Sequence, residues 1–350
     1  MKGMKGTGSN SSRGMFSVLA VILILAIALV GCGNNGNNGN AESASPAASP
    51  SAAAASDESA AATASASASA ESGTRTVEDG FGTVEIPVHP ERVAGIYLED
   101  YMLALGVAPV VQWYHPSWGK QDYLGLDDVP TFDITGEMEA LIAYDLDLII
   151  VDPGINEAQY EMYSKIAPTY RIPDSMRGDA VQTLKAVADV LGIPDKADAV
   201  LAAYDAKVAD AKSRLQAAVG DQTVAVVRLD VGDKPDLRLF SDTNAYTGML
   251  FKDLGLTPHP WSVGIDGHEA ISQEKIPEFD VEHMIIFPSN GTWTSKENQS
   301  AIELLDSPLW KNVPAVKNGH VYRVERSHWQ SGAITANSMK IDDLLKLFGA

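Results

Sequence analysis

Cysteine is almost missing from this chain: Cys32 is the only one among 350 residues. A single sulfur excludes an internal disulfide and any cysteine-built metal site. Basic charge is scarce as well, with 26 Lys and Arg against 46 Asp and Glu, a formal net charge of −20. Such a balance excludes nucleic acid as a partner, because neutralising phosphates needs a basic face. The seven histidines (His89, His115, His259, His268, His283, His320 and His328) form no H-x-H or H-x3-H pair, and there is no histidine-rich loop. A bare zinc or manganese site would need such a cluster. Also missing are a G-x-S-x-G elbow, an H-E-x-x-H motif and a P-loop, so no catalytic signature is present and no enzyme is expected. The acids of DVGDKPD (230–236) lack the spacing of a calcium loop.

A run long enough for a membrane span is lacking too. The apolar stretch from Met15 to Val30 has 16 residues, short of the roughly 20 that cross a bilayer. Directly after it comes GCGNNG (31–36), which matches the G-x-G-x-x-G dinucleotide fingerprint letter for letter. That fingerprint works only between a short strand and an opening helix. Here the preceding run is too long for a typical strand, and a low-complexity tract of Asn, Gly, Ala and Ser stands where the helix should open. Lys2, Lys5 and Arg13 are the only charges before residue 32, so they and the apolar run make the n- and h-regions of a secretory signal over 1–31. An uncleaved anchor is the competing reading. Leu29-Val30-Gly31-Cys32 resembles the lipobox of bacterial lipoproteins, in which the cysteine is lipidated and becomes the new N-terminus. Two or more acyl chains on one residue anchor durably where one would be marginal. Residues 32–74 then read as a disordered tether, too poor in large apolar groups to offset ordering entropy. Flexible-coil scaling gives 40 such residues a span of roughly 35 Å.

From Arg75 onward strand-length and helix-length apolar patterns alternate. RVAGIY, APVVQW, LDLIIVD and TYRIP read as strands; LEDYMLALG, MEALIAYD, EAQYEMYSKIA and AVQTLKAVADVLG read as helices. Gly106, Gly192 and Gly255 stand at helix-stop positions. A second block comes next, with TVAVVRLD, DLRLF, TGMLFKDLG, VEHMIIFP, HVYRVE and the terminal helix SMKIDDLLKLFG. Alternation of this kind predicts an α/β protein with parallel sheets flanked by helices. Between the blocks, residues 195–219 contain no glycine or proline and are rich in alanine, so they predict one long helix, either crossing between two lobes or lying on the surface of one.

An internal echo recurs at an offset of 135. EALIAYDLDLIIVDP begins at Glu139 and EKIPEFDVEHMIIFP at Glu274. Aromatic Tyr144 and Phe279, then Asp145 and Asp280, then the acids Asp147 and Glu282, and finally Pro153 and Pro288 fall in register. The echo predicts two similarly built lobes, 75–194 and 220–350, with a cleft between them suited to a small ligand.

Taken in order, GTVEIPVHPERV, YMLALGVAPV, MEALIAYDLDLII, YSKIAPTY, ISQEKIPEFD, LWKNVPAVKNGHVYRV and HWQSGAITANSMKIDDLL resemble the ferric-siderophore and cobalamin group of substrate-binding lipoproteins that serve ABC importers. The resemblance runs from Thr83 to Phe348. It implies two Rossmann-like lobes joined by a single rigid helix, no cofactor, and a monomer held on the extracellular face of the cell membrane only by its lipid. It implies partners as well: a ferric-siderophore ligand and the importer's permease subunits. By the same resemblance Glu139 and Glu274 are the acids that meet arginines on the permease, and the lobes close on cargo by only a few ångströms. Arg177 and Gly178 occupy a stretch where relatives in this group often place a tryptophan before the next helix.

Ligand residues are sought just beyond strand ends, where doubly wound folds bind. Tyr97, Trp113, Tyr114, Trp118 and Arg171 are the candidates before the long helix, and Arg228, Trp293 and Trp329 those after it. Aromatic walls with a few guanidinium groups suit an oxygen-rich metal chelate. Arg171, Arg177, Arg228 and Arg238 are scattered and outnumbered by aromatics, which favours a weakly charged hydroxamate siderophore over a tris-catecholate. Cobalamin, haem or a bare metal ion are the alternative cargoes.

Overall fold

The computed structural model describes residues 73–230 and 236–350. The signal segment, Cys32 and all but the end of the expected tether lie outside the described residues. Gly73 and Thr74 are described, and Thr74 is already paired as the first residue of β1, one residue before the expected start of order.

The strands are β1 (Thr74–Glu78), β2 (Thr83–Pro87), β3 (Val93–Ile96), β4 (Gln112–Tyr114), β5 (Thr131–Asp133), β6 (Leu148–Val151), β7 (Thr169–Arg171), β8 (Thr223–Asp230), β9 (Asp236–Phe240), β10 (Thr257–Pro258), β11 (His268–Ala270), β12 (His283–Pro288) and β13 (Val321–Arg323). The α-helices are α1 (Glu99–Ala104), α2 (Glu157–Ser164), α3 (Ala180–Val190), α4 (Pro194–Val219), α5 (Met249–Lys252), α6 (Gln299–Leu305), α7 (Pro314–Lys317), α8 (Arg326–Trp329) and α9 (Ile334–Leu347). All three predicted helix-stop glycines adopt positive φ, at 71–75°, a conformation that costs glycine little.

Before α4 the sheet is parallel, in the order β3-β6-β7, with a separate parallel pair β4-β5 and the hairpin β1-β2. After α4 the order is β11-β9-β8-β12-β13, with β10 beside β8. This second sheet is mixed rather than parallel: β8 runs parallel to β10 and β12, and β12 to β13, but β9 and β11 pair antiparallel. The reason lies in the connection. Only residues 231–235 separate β8 from β9, whereas a parallel crossover needs about a dozen or more.

α4 holds 26 residues and starts on Pro194, whose fixed φ and missing N–H suit a first helical turn. At about 1.5 Å per residue it is roughly 39 Å long. One apolar cluster lies around it and takes residues from both sides of the chain: α1, α3 and α4 contribute Met102, Leu184 and Leu201, and α9 contributes Ile341 and Leu344. Two further clusters are local, one around Ile149 and Phe132, the other around Ile286 and Trp310. Among the described residues no helix is long and apolar enough to cross a membrane.

The internal echo is a structural one. In the first sheet Asp147, one residue before β6, accepts from the backbone N–H of Glu91 (2.7 Å) and Arg92 (3.0 Å) at the head of β3. In the second, Glu282, one residue before β12, accepts from Thr223 N–H (2.7 Å) at the head of β8. The pairings then match, Val93 with Leu148 and Val224 with His283. MEALIAYD departs from the expected α-helix: Met138–Tyr144 is a 3-10 helix, closed by Asp145 at φ 44°.

Candidate functional site

A cavity of about 990 Å³ is lined from both sides of α4, by residues between Tyr97 and Gly178 and between Arg228 and Ala333. Its walls include residues directly beyond parallel strands: Tyr97 after β3, Asp152 after β6 and Ser289 after β12. Side chains there project past the last ladder hydrogen bond, where the backbone leaves room for a ligand.

Four of the expected ligand residues meet in this cavity: Tyr97, Trp113, Trp118 and Arg228. Tyr97 has φ 65°, an uncommon value for a bulky residue and a sign of local constraint. Its ring centroid lies 4.7 Å from that of Trp113. The backbone N–H of Trp113 donates to Glu99 Oε1 at 2.9 Å. Burial pushes the Glu99 carboxyl up to about 8, and its Oε2 and the Trp113 indole nitrogen are buried without hydrogen-bond partners among the described residues. Trp118 is 49% exposed and stacks on His115 at 3.7 Å. Asp230 fixes the Arg228 guanidinium through Nε (2.9 Å) and Nη2 (3.3 Å), and the Phe240 ring lies 5.6 Å away.

The other four do not line the cavity. Tyr114 follows Trp113 along β4, and alternation sends successive side chains to opposite faces. Arg171 is buried under Phe81, its guanidinium donating to Ile155 O (2.9 Å) and to both oxygens of Asp174 (3.1 and 3.0 Å). It braces the loop that carries Gly154 and Ile155 to the cavity. Trp293 donates its indole N–H to Val324 O at 2.8 Å and lies against Arg323. Trp329 is wholly buried, with its indole N–H given to Asp343 (2.8 Å), which also meets His328 (2.7 Å).

Arg326 is not among the candidates from sequence, yet it lines the cavity. It donates to Gln330 Oε1 and to Trp118 O, both at 3.0 Å. The strand-end rule applied to HVYRVE would have reached it, since it lies three residues beyond β13. Gly178 also lines the cavity. The lining cations are Lys120, Arg228 and Arg326, and the lining carboxylates Asp122, Asp152 and Glu325, so three charges of each sign balance to zero. No histidine is among the described lining residues.

Glu139 is exposed on the 3-10 helix Met138–Tyr144, and Glu274 is exposed two residues before the 3-10 helix Ile276–Glu278. Each acid precedes the strand of its own copy, β6 or β12, but only Glu139 lies inside a helical turn.

Residues 102–327 match the periplasmic binding protein family. The chain is 34% identical to the iron(3+)-hydroxamate-binding protein FhuD of Bacillus subtilis, over 70% of this chain and 76% of that protein. It is 30% identical to the probable siderophore-binding lipoprotein YfiY of the same organism, over 79% of this chain and 88% of that one. Among solved structures, Staphylococcus aureus SirA complexed with staphyloferrin B is similar with a TM-score of 0.65 and 25% identity, over 79% of this chain and 99% of that one. On the order of its elements, the inter-sheet cavity and these matches, the chain belongs to the periplasmic binding protein family.

Proposed function

We propose that this protein is a carrier that binds a ferric siderophore of the hydroxamate type and delivers it to an ABC importer. The observation that carries the reading is the charge-balanced, aromatic cavity between the two sheets. A ferric tris-hydroxamate core is neutral, so rings can cover its apolar faces while guanidinium groups meet its chelating oxygens. A ferric tris-catecholate carries several negative charges and would meet Asp122, Asp152 and Glu325 as well as the cations. The name of the Bacillus relative, an iron(3+)-hydroxamate-binding protein, supports the same cargo class.

In this reading Tyr97, Trp113, Trp118, Arg228 and Arg326 touch the cargo. Residues 75–194 and 220–350 act as two lobes on the stiff helix 195–219, and Glu139 and Glu274 dock on the permease. Cys32 carries the lipid that holds the protein on the outer face of the membrane, with 32–74 as tether. The protein works stoichiometrically, as a monomer, and transforms nothing. Native mass spectrometry of the full chain mixed with a ferric tris-hydroxamate, a ferric tris-catecholate, haem, cobalamin and zinc tests this. Selective retention of one hydroxamate complex per chain is expected; selective retention of any other would replace the reading.

A further inference from the structure

The three carboxylates of the cavity are not equivalent. Asp122 pairs with Lys120 at 3.3 Å. Glu325 is exposed. Asp152 is partly buried and stands immediately beyond β6, the central strand of the first sheet. Its Oδ1 accepts the Gly154 N–H at 2.6 Å, and among the described residues nothing hydrogen-bonds to Oδ2.

Two guanidinium groups lie close to Asp152, but both are engaged elsewhere. Arg171 and Arg177 each pair with Asp174, at 3.0 and 2.9 Å, and each also donates to Pro153 O. Asp152 is therefore a cavity-facing carboxylate without an ion-pair partner among the described residues. Burial pushes its carboxyl up, and the arginine charges pull it the other way. A desolvated acid in this state is stabilised when a cation arrives.

The surroundings suit one kind of cation. Tyr97, Tyr101, Trp113 and Tyr163 line the cavity from the same half of the chain. Tyr97 and Asp152 follow adjacent strand ends, since Ile96 of β3 pairs with Val151 of β6; burial, and then the charge of Asp152, hold the Tyr97 phenol up at about 12. Aromatic faces attract an ammonium group, and a carboxylate gives it a charge-assisted hydrogen bond. The cavity's two arginines come from the other half of the chain. Of the six lining charges, the first half supplies Lys120, Asp122 and Asp152 and the second Arg228, Arg326 and Glu325. With Lys120 paired to Asp122, Asp152 is the acid of the first half left without an ion pair among the described residues.

We propose that Asp152 is the subsite for a protonated primary amine on the cargo, so that the chelate carried here has a free ammonium group beside its hydroxamate core. This rests on the siderophore reading and narrows it. The chelating oxygens face Arg228 and Arg326, and the ammonium faces Asp152. A cargo so charged at one end enters the cavity in a single orientation.

The test uses ferric desferrioxamine B, a linear tris-hydroxamate with one free amine, and its N-acetylated form, which has the same iron coordination and no positive charge. Each is titrated into the full chain while tryptophan fluorescence is followed. The wild-type protein is expected to prefer the free amine by about tenfold or more, the scale of one charge-assisted contact. In Asp152→Asn the amide oxygen still accepts from Gly154, and the two chelates should bind alike. Equal binding by the wild-type protein, or a preference that survives in Asp152→Asn, overturns the amine subsite and leaves the hydroxamate reading standing. If neither chelate binds to the wild-type protein, both readings fall.

Discussion

The guanidinium of Arg326 donates to the main-chain oxygen of Trp118 at 3.0 Å, joining the start of α8 to the loop after β4 across 208 residues of sequence. Both residues line the cavity, so this bond links its two sides, as does the bond between the Tyr123 hydroxyl and Ser331 Oγ at 3.1 Å. Removing the side chain in Arg326→Ala also removes the bond to Gln330. Chelate affinity should fall by about ten- to a hundredfold, since hydrogen bonds from a charged donor contribute roughly 1.5–3 kcal/mol. Arg326→Lys should recover only part of that, because an ammonium cannot span two acceptors as the planar fork does. Calorimetric titration separates the two outcomes.

Arg171 has a different role, and a substitution there reads out differently. Its guanidinium satisfies carbonyl oxygens of Pro153 and Ile155 as well as Asp174. Arg171→Ala strands the Ile155 carbonyl, while Pro153 O keeps its bond from Arg177, and should cost about 1–3 kcal/mol in urea unfolding. Affinity of the protein that remains folded should fall through a looser 153–155 loop, less than for Arg326→Ala. An affinity loss with unchanged stability would make Arg171 a ligand contact after all.

Glu99 gives the protein a pH signature. Burial raises its carboxyl from 4.5 to about 8, so the folded chain keeps a proton that the unfolded chain releases between those values. Stability from this group is complete below about pH 4.5 and is lost as pH rises towards 8. Glu99→Gln keeps an acceptor for Trp113 N–H and has no proton to lose. The variant should match the wild-type protein near pH 5 and exceed it at pH 8. Because Lys340, drawn down to about 7 by burial, is present in both proteins, the difference between their unfolding curves isolates Glu99. A difference that does not change with pH would refute the assignment.

For the permease, charge reversal at both exposed acids, Glu139→Arg with Glu274→Arg, should abolish most cellular iron uptake from the chelate. Affinity measured on the purified chain should stay within about twofold, since exposed charges govern encounter and register more than local binding. A matching loss of chelate affinity would move these residues into the binding site.

Much of the molecule is legible in the chain. The echo at Glu139 and Glu274 predicts repeated units, and the matched clamps of Asp147 on β3 and Glu282 on β8 are the physical form of that repeat. The long helix is readable to within one residue because its composition admits no break. Strand-end reasoning finds Tyr97, the first residue after β3, and leads near enough to find Trp113 and Arg228 inside β4 and β8, close to their ends, and Trp118 in the loop after β4. It fails for Trp329, Arg171 and Trp293, because sequence does not say whether an acceptor such as Asp343, Ile155 O or Val324 O claims them, and for Tyr114, which does not line the cavity as its neighbour Trp113 does. Arg326 and Asp152 also follow strand ends, β13 and β6, so the same rule reaches them; what it does not show is that Arg326 bonds to Trp118 O while Asp152 keeps one oxygen unpaired among the described residues.

The most direct measurement is a fluorescence titration of the full chain with a ferric tris-hydroxamate, run beside the double variant Trp113→Phe with Trp118→Phe. Saturable one-to-one quenching in the wild-type protein, most of it lost in the variant, is the expected result. No saturable quenching, or quenching of equal depth in both proteins, would contradict a cargo held between these rings.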